Sequence, residues 1–120
     1  MKYHLISGGC GFVGRNVAKH LLKTTEDRII VVDDCSVGME PIQWPMPEGG
    51  TFLGGSPKRT DGQAEFWGEN EEFIFWKGDF RFFLRNMLEH ENWLQEALGL
   101  ESFTKFSDVF HFAAIVGGRA

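Results

Sequence analysis

The sequence predicts an α/β domain, a doubly wound parallel sheet of about four strands in the order 3-2-1-4 with helices on both faces. Three observations carry this expectation. A short apolar strand runs into a turn crowded with glycines, a segment of helical period follows, and a continuous β-branched run comes next and ends in an acid. Tyr3 to Ile6 is the first strand, and Gly8, Gly9, Gly11 and Gly14 crowd the turn. From Phe12 onward Phe12, Val13, Val17, Ala18, Leu21 and Leu22 share one helical face, and the helix is expected to end near Thr24-Thr25. Arg28-Ile29-Ile30-Val31-Val32-Asp33 then reads as a strand buried on both faces. Strand, turn, helix and strand form a βαβ unit with a right-handed crossover.

Residues 38–72 read as a long irregular connection within a single domain spanning residues 1–120. The connection holds all four prolines, Pro41, Pro45, Pro47 and Pro57. Thr51-Phe52-Leu53 and Glu65-Phe66-Trp67 are expected to pair as a small hairpin inside it. Phe73-Ile74-Phe75-Trp76 is the third strand. A helix is expected from about Phe82 to Leu98, with Leu84, Met87, Leu88, Leu94 and Leu98 on one face. Asp108 to Ala114 is the fourth strand, followed by Ile115-Val116-Gly117-Gly118. The aromatic residues Phe66, Trp67, Phe73, Phe75, Trp76, Phe80, Phe82 and Phe83 read as core rather than as a sugar-stacking platform, since aromatics dominate core packing.

Composition narrows the class. Hydrophobic residues make up 42% and charged residues 24%, as in a soluble globular protein. The net charge of -5 argues against nucleic acid and anionic membranes as partners, because nothing here neutralises a row of phosphates. No apolar run approaches the roughly 20 residues that span a bilayer, and the N-terminus lacks the pattern of a secretory signal. A cytoplasmic protein is expected. His4, His20, His90 and His111 are scattered without ligand spacing, so no metal site is expected. Cys10 and Cys35 are expected to lie fairly near each other, with free thiols the plain reading over a disulfide.

The glycine turn carries the chemistry. It joins a strand to a helix N-terminus, where free backbone N–H groups and the positive end of the helix dipole suit a pyrophosphate. Glycines let the phosphate approach. Asp33 lies at the end of the next strand, 19 positions after Gly14 (33 − 14 = 19), where a carboxylate accepts the hydrogens of an adenosine ribose diol. Asp33 and Asp34 would repel a 2′-phosphate, which favours NAD over NADP; Arg15 is the one residue that points the other way. Two spacings fit the turn, Gly9-x-Gly11-x-x-Gly14 and Gly8-x-x-Gly11-x-x-Gly14.

Four motifs together resemble the extended short-chain dehydrogenase/reductase family. Ser7-Gly8-Gly9-Cys10-Gly11-Phe12-Val13-Gly14 is similar to its T-G-G-x-G-F-I-G, and Val31-Val32-Asp33-Asp34-Cys35-Ser36-Val37-Gly38 to its V-V-D-N-L-S-T-G. Gly78-Asp79-Phe80-Arg81 is similar to its G-D-[IL]-R, and Val109-Phe110-His111-Phe112-Ala113-Ala114 to its V-F-H-L-A-A. The resemblance implies a Rossmann-type fold and selects Gly8, Gly11 and Gly14 as the phosphate-loop glycines, leaving Gly9 permissive. It implies that Phe12 and Val13 offer backbone N–H groups to the pyrophosphate. Asp33 would hold the ribose, with Asp34 and Ser36 nearby. Asp79 and Phe80 would border adenine, and Phe112, Ala113 and Ala114 would run beneath the nicotinamide half.

The implied activity is that of an NAD-dependent nucleotide-sugar epimerase or dehydratase working through a transient keto-sugar. The family's catalytic Tyr-x-x-x-Lys is missing: the one tyrosine, Tyr3, has Ser7 four positions on. The chain therefore reads as the N-terminal cofactor-binding half of a larger enzyme, without its own catalytic residues. A stand-alone NAD-binding or regulatory module is the alternative. The fourth strand is expected to present an open apolar edge that favours self-association into a homo-oligomer.

Overall fold

The computed structural model describes residues 2–44 and 56–112. Among the described residues ten elements include six strands: β1 (Tyr3–Ser7), β2 (Arg28–Asp33), β3 (Arg59–Asp61), β4 (Ala64–Trp67), β5 (Phe73–Lys77) and β6 (Asp108–His111). The helices are α1 (Phe12–Thr24), α2 (Phe80–Glu89) and α3 (Trp93–Ala97), with a 3-10 turn at Pro41–Gln43. All strands join one mixed sheet in the order β3-β4-β5-β2-β1-β6. The α/β class holds, but a sheet ordered 3-2-1-4 does not describe it. The four expected strands are the neighbours β5-β2-β1-β6, paired parallel, and an antiparallel hairpin extends the β5 side.

That hairpin corrects the reading of 38–72 as irregular. Arg59–Asp61 pairs with Ala64–Trp67 around Asp61-Gly62-Gln63, with Gly62 at φ +57, a backbone conformation that glycine adopts without a Cβ penalty. The expected partner Thr51-Phe52-Leu53 lies outside the described residues. The start of the connection is anchored rather than loose. Trp44 is fully buried, donates Nε1–H to the Met39 carbonyl at 2.8 Å, and stands edge-on to Phe73 at 5.8 Å.

Two hydrophobic layers flank the sheet. β2 feeds both: Ile29 and Val31 point to the layer with Ala18 and Trp44, and Ile30 and Val32 to the layer with Phe83 and Leu94. α1 covers the first layer through buried Gly14 and Ala18, with Val17, Leu21 and Leu22 packed at its margin. Phe12 and Val13, expected on that face, are exposed instead, and the helix meets the layer from Gly14 onward. The expected helix from Phe82 to Leu98 is two helices. Leu84 and Leu88 are exposed, and the inward face is Phe80, Phe83 and Met87. The chain turns at His90–Asn92 so that Trp93 packs edge-on against Phe83 at 5.1 Å and Leu94 becomes buried. Of the aromatic cluster, Phe66, Trp67, Phe73, Phe75, Trp76 and Phe83 are core, Phe80 is half-buried, and Phe82 is exposed, stacked on Trp76.

Asp27 ties the opposite end of the sheet together. Its Oδ2 lies 2.8 Å from His4 Nε2 and its Oδ1 accepts from the Lys2 amide at 3.0 Å. The His4 hydrogen bond first, and the Lys2 amide second, hold the Asp27 carboxyl below its ordinary value. A depressed carboxyl contributes stability that is fully present above the unfolded value of 3.8 and is lost as pH falls through the folded value. The thermal midpoint by circular dichroism is expected to fall below about pH 4. Asp27→Asn should lower the midpoint at pH 7 and flatten this acid limb; an unchanged limb would place its origin in other carboxylates.

Candidate functional site

The parallel strands β1, β2, β5 and β6 end at one rim. Register pairs Ser7 with Val32 and with His111, and Asp33 with Lys77. Backbone hydrogen bonds continue the alignment past the strand ends. Gly8 N donates to Val32 O at 2.9 Å, Phe112 N to Ser7 O at 2.8 Å, and Gly78 N to Asp33 O at 3.0 Å. The glycine turn, Asp33, Asp79 and Phe112 are thereby collected on one side of the sheet. Ala113 and Ala114 lie outside the described residues, as does Val116-Gly117-Gly118.

The turn reaches α1 through Gly11, the N-cap, at φ -74 and ψ 173. Gly11 has no side chain with which to cap the helix and the first turn holds no acid, so among the described residues the amides of Phe12 and Val13 sit at the positive end of the dipole without a capping group. Gly8 takes a φ of +68. The expectation that Gly9 is permissive is corrected. A Cβ on Gly9 would meet Val31 Cγ1 at 2.6 Å and Ile6 Cγ2 at 3.2 Å, whereas one on Gly11 would meet only Gly8 O at 3.6 Å. Gly9 packs against the sheet, whereas among the described residues a Cβ on Gly11 has room. Gly14 lets α1 lie directly on the turn, since its Cβ would meet Gly9 Cα at 2.6 Å and Gly8 O at 2.7 Å.

Asp33 joins two loops. Its Oδ2 accepts from Cys10 N and its Oδ1 from Cys35 N, both at 2.8 Å. Asp34 closes a turn onto Ser36 N at 3.0 Å, and both residues are exposed. The loop after β2 lies against the glycine turn, with Met39 N donating to Cys10 O at 3.2 Å. Asp79 caps α2: its Oδ1 accepts from Arg81 N at 2.7 Å and its Oδ2 pairs with Arg81 Nη2 at 2.8 Å. The Arg81 side chain, then its amide, holds the Asp79 carboxyl below the ordinary range. Phe80 lies 5.2 Å from the His111 ring, linking the start of α2 to the end of β6. Arg15 is half-buried with its guanidinium over the Phe12 ring at 5.4 Å.

One grouping has no counterpart in the sequence signals, and another goes beyond the expected nearness of Cys10 and Cys35. Ser7 Oγ and His111 Nδ1 lie 2.6 Å apart across β1 and β6. Cys10, Asp33 and Cys35 form a cluster whose ligating atoms all lie within 4.8 Å of one another, where no metal site was expected. Cys35 donates its S–H to Cys10 Sγ at 3.4 Å, and both thiols are free. That hydrogen bond first, then burial, with the carboxylates of Asp33 and Glu40 adding to them, push the Cys10 thiol well above the ordinary range. An open cleft of about 740 Å³ lies elsewhere, near Leu22, Asp27 and Glu72, at the N-terminal end of β2. Ligands of open α/β sheets bind beyond the carboxyl ends of the strands, so that cleft does not belong to this site.

Fold and rim together define an α/β chain in which a glycine turn opens a helix beside an acid on the neighbouring strand. No family model, curated protein or solved structure matches the chain.

Proposed function

We propose that the chain binds NAD at the rim of a Rossmann-type sheet, as the cofactor-binding portion of a nucleotide-sugar epimerase- or dehydratase-type oxidoreductase. One observation carries the reading: the glycine turn, Asp33, Asp79 with Phe80, and Phe112 border adjoining ends of parallel strands. A dinucleotide laid along that rim needs pyrophosphate, ribose, adenine and nicotinamide contacts at those places. The uncapped first turn of α1 suits the pyrophosphate. The amides of Cys10 and Cys35 use two of about four lone-pair sites on the Asp33 carboxylate, which leaves acceptors for a ribose diol.

These residues bind and orient; NAD supplies the hydride acceptor. Tyr3 is buried in the sheet with its hydroxyl 2.9 Å from Ser102 Oγ, a structural placement that favours cofactor binding without acid–base chemistry in this stretch. A non-catalytic NAD-binding module is the second reading on the same ground. A cytoplasmic location and self-association belong to the proposal. No helix among the described residues is long and apolar enough to cross a membrane. The exposed Val109 and Phe112 lie on or beside β6, a border strand of the sheet.

Isothermal titration of the reduced protein should give saturable heat with NAD and at least about tenfold weaker binding of NADP. Asp33→Asn should narrow that ratio, a readout insensitive to any general loss of folded protein. Absence of heat up to millimolar NAD would end both readings.

A further inference from the structure

Cys10 follows β1 and Cys35 follows β2, and closure of the βαβ unit brings their sulfurs to 3.4 Å, with an Asp33 oxygen inside the same 4.8 Å cluster. We infer that Cys10, Cys35 and Asp33 form a binding site for a thiophilic divalent cation of the zinc type, with a fourth position open to water. The inference does not rest on NAD binding.

Three arguments support it. The first is distance. Two thiolates on one tetrahedral zinc, each about 2.3 Å from the metal, stand about 3.8 Å apart. The sulfurs therefore need to separate by only a few tenths of an ångström to admit the ion. A disulfide would instead require them to close to about 2.05 Å, the larger movement.

The second is support around the ligands. The Asp33 carboxylate is oriented by the Cys10 and Cys35 amides, one on each oxygen, so the loops that carry the thiols also aim the third ligand. Outer hydrogen bonds of this kind hold first-shell ligands in productive orientations. Cys10 is fully buried and Cys35 half-buried, so the pair is reached from the Cys35 side.

The third is donor chemistry. A dication takes the place of the thiol protons, so binding should release protons and strengthen as pH rises. Two soft sulfurs with one carboxylate favour zinc or cobalt over magnesium or calcium, which prefer oxygen alone.

The test uses the whole chain, kept reduced with a phosphine that does not chelate, and without NAD. Titration with Co²⁺ should give one bound equivalent and a thiolate-to-cobalt charge-transfer band in the near ultraviolet, abolished by one equivalent of Zn²⁺. Cys35→Ser should weaken the band and Cys10→Ser with Cys35→Ser should remove it. Asp33→Asn should lower affinity by at least about tenfold while the band persists at saturation. Circular dichroism of the Cys35→Ser protein guards against loss of fold, since that side chain is half-buried. No band at millimolar Co²⁺, a band that survives in the double variant, or conversion of the pair to a disulfide with metal left unbound would overturn the inference. Because NAD is absent throughout, none of these outcomes bears on dinucleotide binding.

Discussion

Gly14→Ala is expected to destabilise the protein by about 3 kcal/mol, at the upper end of the overpacking range, and to lower the thermal midpoint by roughly 10 °C. Two effects compete. Alanine gains about 1 kcal/mol over glycine in a helix, and Gly14 lies within α1. Against this, the new Cβ meets Gly9 Cα at 2.6 Å and Gly8 O at 2.7 Å. Both are backbone atoms, and the turn they belong to is tied to β2 through Gly8 N and Val32 O, so neither can rotate aside. The clash wins. Urea denaturation checks this, and wild-type stability in the variant would mean that α1 can lift off the turn. Gly11→Ala is the contrast: with only Gly8 O at 3.6 Å, stability should change by less than about 1 kcal/mol. On the proposed NAD reading its Cβ would nonetheless stand in the path of the pyrophosphate, so NAD heat should be lost from a folded protein.

Trp44→Ala is expected to cost about 3–5 kcal/mol, the range for emptying a large aromatic site. Trp44 is fully buried, sits on Phe73, and shares its layer with Ile29, Val31 and Phe75. Trp44→Phe keeps most of the apolar contact and loses the hydrogen bond to the Met39 carbonyl, for about 1 kcal/mol. Far-ultraviolet circular dichroism in urea is the suitable probe, because removing a tryptophan alters fluorescence by itself. A loss under about 1 kcal/mol for Trp44→Ala would show that the connection packs independently of the sheet.

The βαβ unit was legible because its signals agree. Ile29 to Val32 are apolar at every position, as a strand covered on both faces must be, and glycine spacing marks the turn before α1. The second half was less legible because periodicity misled. Leu84 and Leu88 suggested an inward stripe, but Phe80 and Phe83 have more area to bury and took the inward positions, leaving the leucines exposed. The hairpin carries a local signal, Asp61-Gly62 between two short runs, with which the apolar Thr51-Phe52-Leu53 competes as a partner for Glu65-Phe66-Trp67. Within the site, the rim positions of Gly11, Asp33 and Asp79 follow from motif order alone. The role of Gly9 does not, because its neighbours Val31 and Ile6 come from strands and appear only when the sheet is assembled. The Ser7–His111 contact likewise spans 104 residues of sequence, whereas the nearness of Cys10 and Cys35 follows from closing the βαβ unit.

The apolar run of β2 has a consequence for how the chain finds its own alignment. With Ile29, Ile30, Val31 and Val32 all buried, sliding β2 by one residue would trade one greasy face for another, and hydrophobicity alone would scarcely notice. Asp33 would notice. Displaced, its carboxylate would lose the amides of Cys10 and Cys35, and its carbonyl would lose Gly78. The acid assigned to a ligand is thus also the notch that stops the central ratchet of the sheet at one tooth.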